Sequence, residues 1–238
     1  MKTTKIKTKN FISGWKSYLS VINEVNEGTS SILDIKSQVN RAVDKILEVD
    51  GQKLKIVISK EDNHYDLSAN IVDAEKNNFI IDEVAYISFL KLPGIVVKDK
   101  EDLNRSSYMI DFTEIVKYGL GPLMYDLIME FASRDDSVLC SDRMSVSDDA
   151  KGLWQNYLYS RNDVNHVQLD IRNNHLDKNL FPNLTPEVED DQYQNVAIKD
   201  KGEKWFTSPF SKGYYKSDNY VTQFIKNSEL FIYKEDMS

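Results

Sequence analysis

The chain is expected to fold as an α+β domain on a mixed, mostly antiparallel sheet flanked by helices. Three observations point there. The hydrophobic period changes from helical to alternating near residue 51. Several β-branched, alternating segments then follow one another up to Leu92. From Tyr108 to Val164 the pattern reads strand, glycine turn, helix, short strand, helix. Antiparallel strands followed by such a unit describe a mixed sheet with helices on both sides.

Residues 1–50 read as an N-terminal helical extension. Phe11, Trp15, Leu19 and Ile22 share one face of a first helix over 11–25, which Gly28-Thr29-Ser30 ends. Ile32, Ile35, Val39, Ala42, Val43 and Ile46 recur at helical spacing over 31–48, and Ser31 with Asp34 resembles a capping box. Residues 51–170 read as the core. Leu54, Ile56 and Ile58 mark a strand, Asp62-Asn63-His64 a turn, and 65–73 a second strand of a hairpin. Further strand is expected over 79–92, stopped by Pro93-Gly94, with a short one at 95–97 and a charged loop over 98–105. Tyr108 to Val116 is the next strand. A helix opens at Pro122, whose missing N–H would be an orphan donor anyway, and runs to about Ser133. Val138 to Ser141 is a short buried strand. Ser147 is the natural N-cap of a helix over 148–160, with Asp148 and Asp149 at the positive end of its dipole. Residues 171–238 read as a C-terminal extension packing on the core: a polar excursion over 172–204, a helix near 220–226 and a closing strand at 229–233.

The 238 residues are 41% hydrophobic and 29% charged, ordinary for a globular chain of this length. The net charge of -8 argues against nucleic acid as a partner. The lysines at positions 2, 5, 7 and 9 form the only basic cluster. One cysteine, Cys140, excludes an internal disulfide and fits a reducing cytoplasm; within an apolar strand it reads as a buried, inert thiol. No apolar run reaches membrane-spanning length, and no apolar core follows the N-terminal lysines as a signal peptide requires. No metal is expected: His166 and His175 have no cysteine near them, and Glu187, Glu189, Asp190 and Asp191 lack the pattern of a calcium loop.

The chemistry concentrates at Gly119-Leu120-Gly121-Pro122-Leu123. Glycines at a strand-to-helix turn let backbone N–H groups approach a ligand, and the helix start adds unpaired donors. The same glycines also serve a plain turn. Glu114 and Asp111 lie on the strand before this loop with opposite side-chain parity. Asp142 and Arg143 follow a buried strand, placed to anchor a substrate or each other.

The phrases Gly119-Leu-Gly-Pro-Leu-Met-Tyr-Asp126, Ser141-Asp-Arg-Met-Ser-Val-Ser147, Leu153-Trp-Gln-Asn-Tyr157 and Arg161-Asn-Asp-Val164 resemble, in this order, GNAT-type acyl-CoA N-acyltransferases. The wording is closest to the GNAT-like acetyltransferase proteins of tailed bacteriophages. The resemblance covers roughly residues 108–170. It implies a GNAT-like sheet in which two central strands splay apart around acetyl-CoA as co-substrate, with an unknown amine as acceptor. It places the pyrophosphate on the N–H groups of Leu120 to Leu123, with Gly119, Gly121, Pro122 and Trp154 also at the cofactor. It makes Glu114 a base, Tyr157 an acid and Asp142 a further catalytic candidate, with Ser141 and Arg143 toward the substrate. Two positions depart from the family. Val116 stands where the loop usually begins with Arg or Gln, and Trp154 where the acidic tyrosine usually falls, with Tyr157 one turn on. These departures leave an alternative, a non-catalytic GNAT-fold module that binds a protein partner in the virion or the host cytoplasm.

Overall fold

The computed structural model describes residues 51–97, 104–142, 146–170 and 207–237. The expected helices over 11–25 and 31–48, Arg143, His175 and the acidic run at 187–191 lie outside the described residues. The elements are β1 (Gln52–Glu61), β2 (His64–Asp73), β3 (Phe79–Val97), β4 (Asn104–Val116), α1 (Gly121–Arg134), β5 (Val138–Cys140), α2 (Asp148–Tyr159), β6 (Asn165–Asp170), β7 (Lys212–Tyr215), α3 (Tyr220–Asn227) and β8 (Phe231–Asp236). The strands form one mixed, mostly antiparallel sheet, and the chain is α+β.

β1 to β4 form an antiparallel meander, since each alternates apolar residues toward one core. Leu54, Ile56, Ile58, Leu67 and Ala69 are fully buried on that face. β8 closes one side of the sheet, parallel to β1. On the other side β5 runs parallel to β4, β7 lies between β5 and β6, and β6 returns to the end of β3. Two strands drawn from beyond residue 171 therefore complete the sheet.

β3 departs from the sequence expectation. It continues through Pro93-Gly94 as one strand, because the pairing with β4 slips there, from Leu92 opposite Ser107 to Ile95 opposite Arg105. A proline is tolerated where the ladder is already interrupted. β6 is a strand that sequence periodicity alone did not mark, and β4 begins four residues before Tyr108.

α1 docks on the meander through Phe131, which meets Tyr65, Phe89 and Tyr108 with ring centroids 5.5, 6.0 and 5.7 Å away. Tyr65 and Phe89 are themselves opposed across β2 and β3 and stack at 5.3 Å. Burial of such rings, with favourable edge-to-face contacts, fixes the helix over the sheet. α2 starts as expected: the Ser147 side chain accepts the Ala150 N–H at 3.2 Å. Among the described residues no helix is long and apolar enough to cross a membrane.

Candidate functional site

Two extra residues shape β4. Its pairing with β3 passes from Ile110 to Phe112 and from Thr113 to Ile115, so Asp111 and Glu114 have no partner residue opposite. Bulges of this kind bend a strand and re-aim its side chains. The parallel ladder with β5 accordingly lasts three residues, ending at Met109 opposite Cys140. Beyond that point the two strands part, and a cleft of about 470 Å³ opens between β4, the start of α1 and α2. By continuation of the register, Asp111 and Asp142 stand level across the mouth of the fork.

The far end of the cleft is the glycine turn. The Leu120 N–H donates to Lys117 O at 3.1 Å, and the central residues Tyr118 and Gly119 both have positive φ, 56° and 73°. That is a type I′ geometry, which glycine adopts without strain. A Cβ at Gly119 would meet no atom within 4 Å, so only the backbone conformation opposes a side chain there. Gly119→Ala is expected to cost roughly 1 kcal/mol in a urea unfolding experiment. A neutral result would mean the loop relaxes out of the turn.

α1 follows directly, with Leu120 as an N-cap that lends no side-chain bond. The sequence expectation of donors from Leu120 through Leu123 is corrected here. The Leu120 N–H is spent on the turn, Pro122 has none, and the Leu120 side chain is fully buried in the core. Helix geometry leaves the amides of Gly121 and Leu123 as the donors of this segment.

The cleft walls are mainly apolar, from Ile110, Phe112, Val116, Val146, Leu153 and Trp154. Its polar groups come from Asp111, Asp142, Asp149, Thr113, Ser147 and Tyr125, and no described lining residue is a lysine or arginine. The Tyr125 hydroxyl lies 3.4 Å from Thr113 Oγ1, and its ring meets the face of Trp154 edge-on at 5.6 Å. Burial pushes the Tyr125 phenol up, and the Asp142 carboxylate adds to this. It stays protonated through the neutral range.

The other expected residues separate into three groups. Gly119, Gly121, Trp154 and Asp142 line the cleft; Asp111 does so, while Glu114 is exposed and does not. Leu120, Pro122 and Ser141 are buried without lining it, and Leu123 is half-buried outside the lining. Tyr157 is buried behind Trp154, where its hydroxyl donates to Asp126 at 2.9 Å. Asp126 was expected to face solvent or a loop, and instead it anchors a buried charge cluster. It accepts from Arg161 and Lys216 at 2.9 and 3.1 Å. Burial raises its pKa, but these two cations outweigh that and hold it at about 2. Asp163 also pairs with Arg161 at 2.6 Å.

Glu130, one turn on and fully buried, accepts the Val221 and Thr222 N–H groups at 2.8 and 2.7 Å and the Thr222 hydroxyl at 2.7 Å. Asn219 offers α3 no side-chain cap, so this carboxylate from α1 satisfies the helix start in its place. Burial pushes the Glu130 carboxyl up, and Lys216 and the capping donors offset this only in part. Sequence reasoning missed Thr113 and Tyr125 as cleft residues, since their contact crosses from a bulged strand to a helix. Among the described residues no group of three His, Cys, Asp or Glu is placed to hold a metal ion. The chain matches no family model, no curated protein and no solved structure in the comparisons made.

Proposed function

We propose that the chain is an acyl-CoA-dependent N-acyltransferase of the GNAT type, phage-like, that carries an acetyl group to an amine. The observation that carries this reading is the fork between β4 and β5, which opens into an apolar cleft ending at the glycine turn and the α1 N-terminus. The Gly121 and Leu123 amides and the helix dipole suit a pyrophosphate. The apolar walls suit the long neutral arm of CoA. The β4 backbone beyond Met109 has parted from β5, so a bound chain can lie along it. Asp111, Asp142 and Asp149 give the cleft a negative character that suits an amine, which is cationic until it gives up a proton. Acyl transfer needs that proton removed and another supplied to the departing sulfur. Asp111, at the fork, is better placed for the first task than Glu114.

Isothermal titration with acetyl-CoA, and with CoA and ATP as controls, tests the reading. Saturable binding of acetyl-CoA and CoA but not ATP is expected. Gly121→Asp puts a carboxylate where phosphate would lie, and a like-charge contact costs several kcal/mol. The new Cβ would meet Val116 Cγ1 at 3.5 Å, an ordinary contact, so the fold should survive. Affinity is expected to fall on the order of 100-fold; unchanged affinity would remove the cradle.

A second reading, a non-catalytic interaction module in the virion or the host cytoplasm, has one observation of its own. Phe79 is 67% exposed and Ile80 and Ile81 follow it at the surface, an apolar run of the kind partners cover. That reading expects a folded protein with no affinity for acyl-CoA.

A further inference from the structure

We propose that Tyr125, on α1, is the residue that hydrogen-bonds the CoA sulfur and protonates it as the acyl group leaves. The assignment rests on the acyl-CoA reading of the cleft. Two tyrosines were available to α1 and α2 near the fork, and the structure treats them oppositely. Tyr157 is shut behind Trp154 and its hydroxyl is committed to the Asp126 carboxylate. Its proton has no route to the cleft that does not pass through the buried charge cluster. Tyr125 is only 6% exposed, yet it lines the cleft. Its hydroxyl is held by one weak contact, 3.4 Å from Thr113 Oγ1. Thr113 lies two residues past the Asp111 bulge, so the phenol sits between the fork mouth and the glycine turn. A long arm whose pyrophosphate rests at Gly121 would bring its sulfur toward this stretch. The ring is fixed edge-on against Trp154, so the hydroxyl is presented without a rotamer search.

In the transfer, the lone pair of a neutral amine forms the C–N bond at the thioester carbonyl carbon. The C–S bond breaks with its electron pair on sulfur, and the Tyr125 O–H proton moves to that sulfur. The proton lost by nitrogen passes to Asp111 or to water, and the phenolate is reprotonated from the same pool. The products are an amide and a thiol, and every proton is accounted for. The phenol is protonated at neutral pH, which a donor requires.

The test compares wild type and Tyr125→Phe by titration with CoA and with desulfo-CoA, which lacks the sulfur. Wild type is expected to bind CoA about five-fold tighter, the worth of one hydrogen bond. In Tyr125→Phe the two affinities should become equal, with desulfo-CoA affinity and the near-ultraviolet dichroism of Trp154 unchanged. A preference for CoA that persists in Tyr125→Phe would overturn the assignment. Thiol release from acetyl-CoA with spermidine as the probe amine supplies the kinetic arm. Tyr125→Phe should lower kcat on the order of 100-fold with little change in KM for acetyl-CoA. No release by wild type above the blank, or a loss seen in Tyr157→Phe and not in Tyr125→Phe, would also overturn it. If wild type binds neither CoA nor desulfo-CoA, the acyl-CoA reading fails and takes this assignment with it. Binding with an unaltered preference removes the assignment alone.

Discussion

Lys216→Met should lower the free energy of unfolding by about 3–5 kcal/mol, the range for breaking a buried ion pair from one side. The side chain of Lys216 is 1% exposed and lies between Asp126 at 3.1 Å, Glu130 at 3.4 Å and Asp163 at 3.5 Å. With Arg161, the cluster holds three carboxylates and two cations, a net charge of -1. Methionine fills similar volume but leaves three carboxylates facing one guanidinium, a net charge of -2. The Glu130 bonds that cap α3 would then carry an uncompensated charge. Burial alone pulls the Lys216 ammonium down, and the carboxylates outweigh it, so its pKa is raised in the fold. Its contribution is therefore fully present below the unfolded value, about 10.4, and is lost as pH rises through the higher folded value. Asp126 runs the other way. Held at about 2, it contributes stability above its unfolded value of about 3.9, which disappears as pH falls toward 2. Removing one of its cations should move the acid limb to higher pH and abolish the alkaline limb. Urea unfolding from pH 2 to 11 measures both. A variant within about 1 kcal/mol of wild type at pH 7, with both limbs unmoved, would mean the cluster is neutralised by protonation rather than by pairing.

That cluster also shows where the sequence stops being informative. Asp126 stands in α1 next to Tyr125, and nothing local distinguishes it from a solvated helix aspartate. Its partners are 31, 35 and 90 residues away. Local signals fared better. Pro122 behind Gly119 and Gly121 announced the turn and the start of α1, because each residue's backbone preference is intrinsic. Ser147 announced α2 for the same reason. The choice between Glu114 and Asp111 needed strand parity, and parity counts fail across two bulges in five residues. β7 is four residues long and owes its place between β5 and β6 to pairing with strands more than forty residues earlier. The tyrosines Tyr214 and Tyr215 were visible as an aromatic pair, and their insertion into the sheet was not.

Gly213→Ala should be the most damaging single-carbon addition among the described glycines. Gly213 sits in β7 opposite Val167 of β6. A Cβ there would lie 2.4 Å from Val138 Cγ2, 2.8 Å from Val138 Cβ and 3.0 Å from Leu169 Cδ2. Rotating the valine relieves the first contact and the leucine can give way at the third. The second involves a Cβ, which moves only with the β5 backbone. β5 is three buried residues held between β4 and β7, and its pairing with β7 is the single register of Leu139 with Tyr214. The added carbon must therefore separate β7 from β5, and overpacking of this kind costs about 3 kcal/mol. Tyr214, next along β7, would move off Trp154, whose ring it meets at 5.3 Å. Loss of near-ultraviolet dichroism should accompany the drop in stability. Val138→Gly removes both valine atoms in the clash and is costly alone, since it empties core volume and loosens a strand. Combined with Gly213→Ala it should cost less than the sum of the two, because the clash is gone. Strict additivity would show that β7 shifts freely within the sheet. The close packing of Gly213 on Val138 would then not be what holds β5, β6 and β7 together.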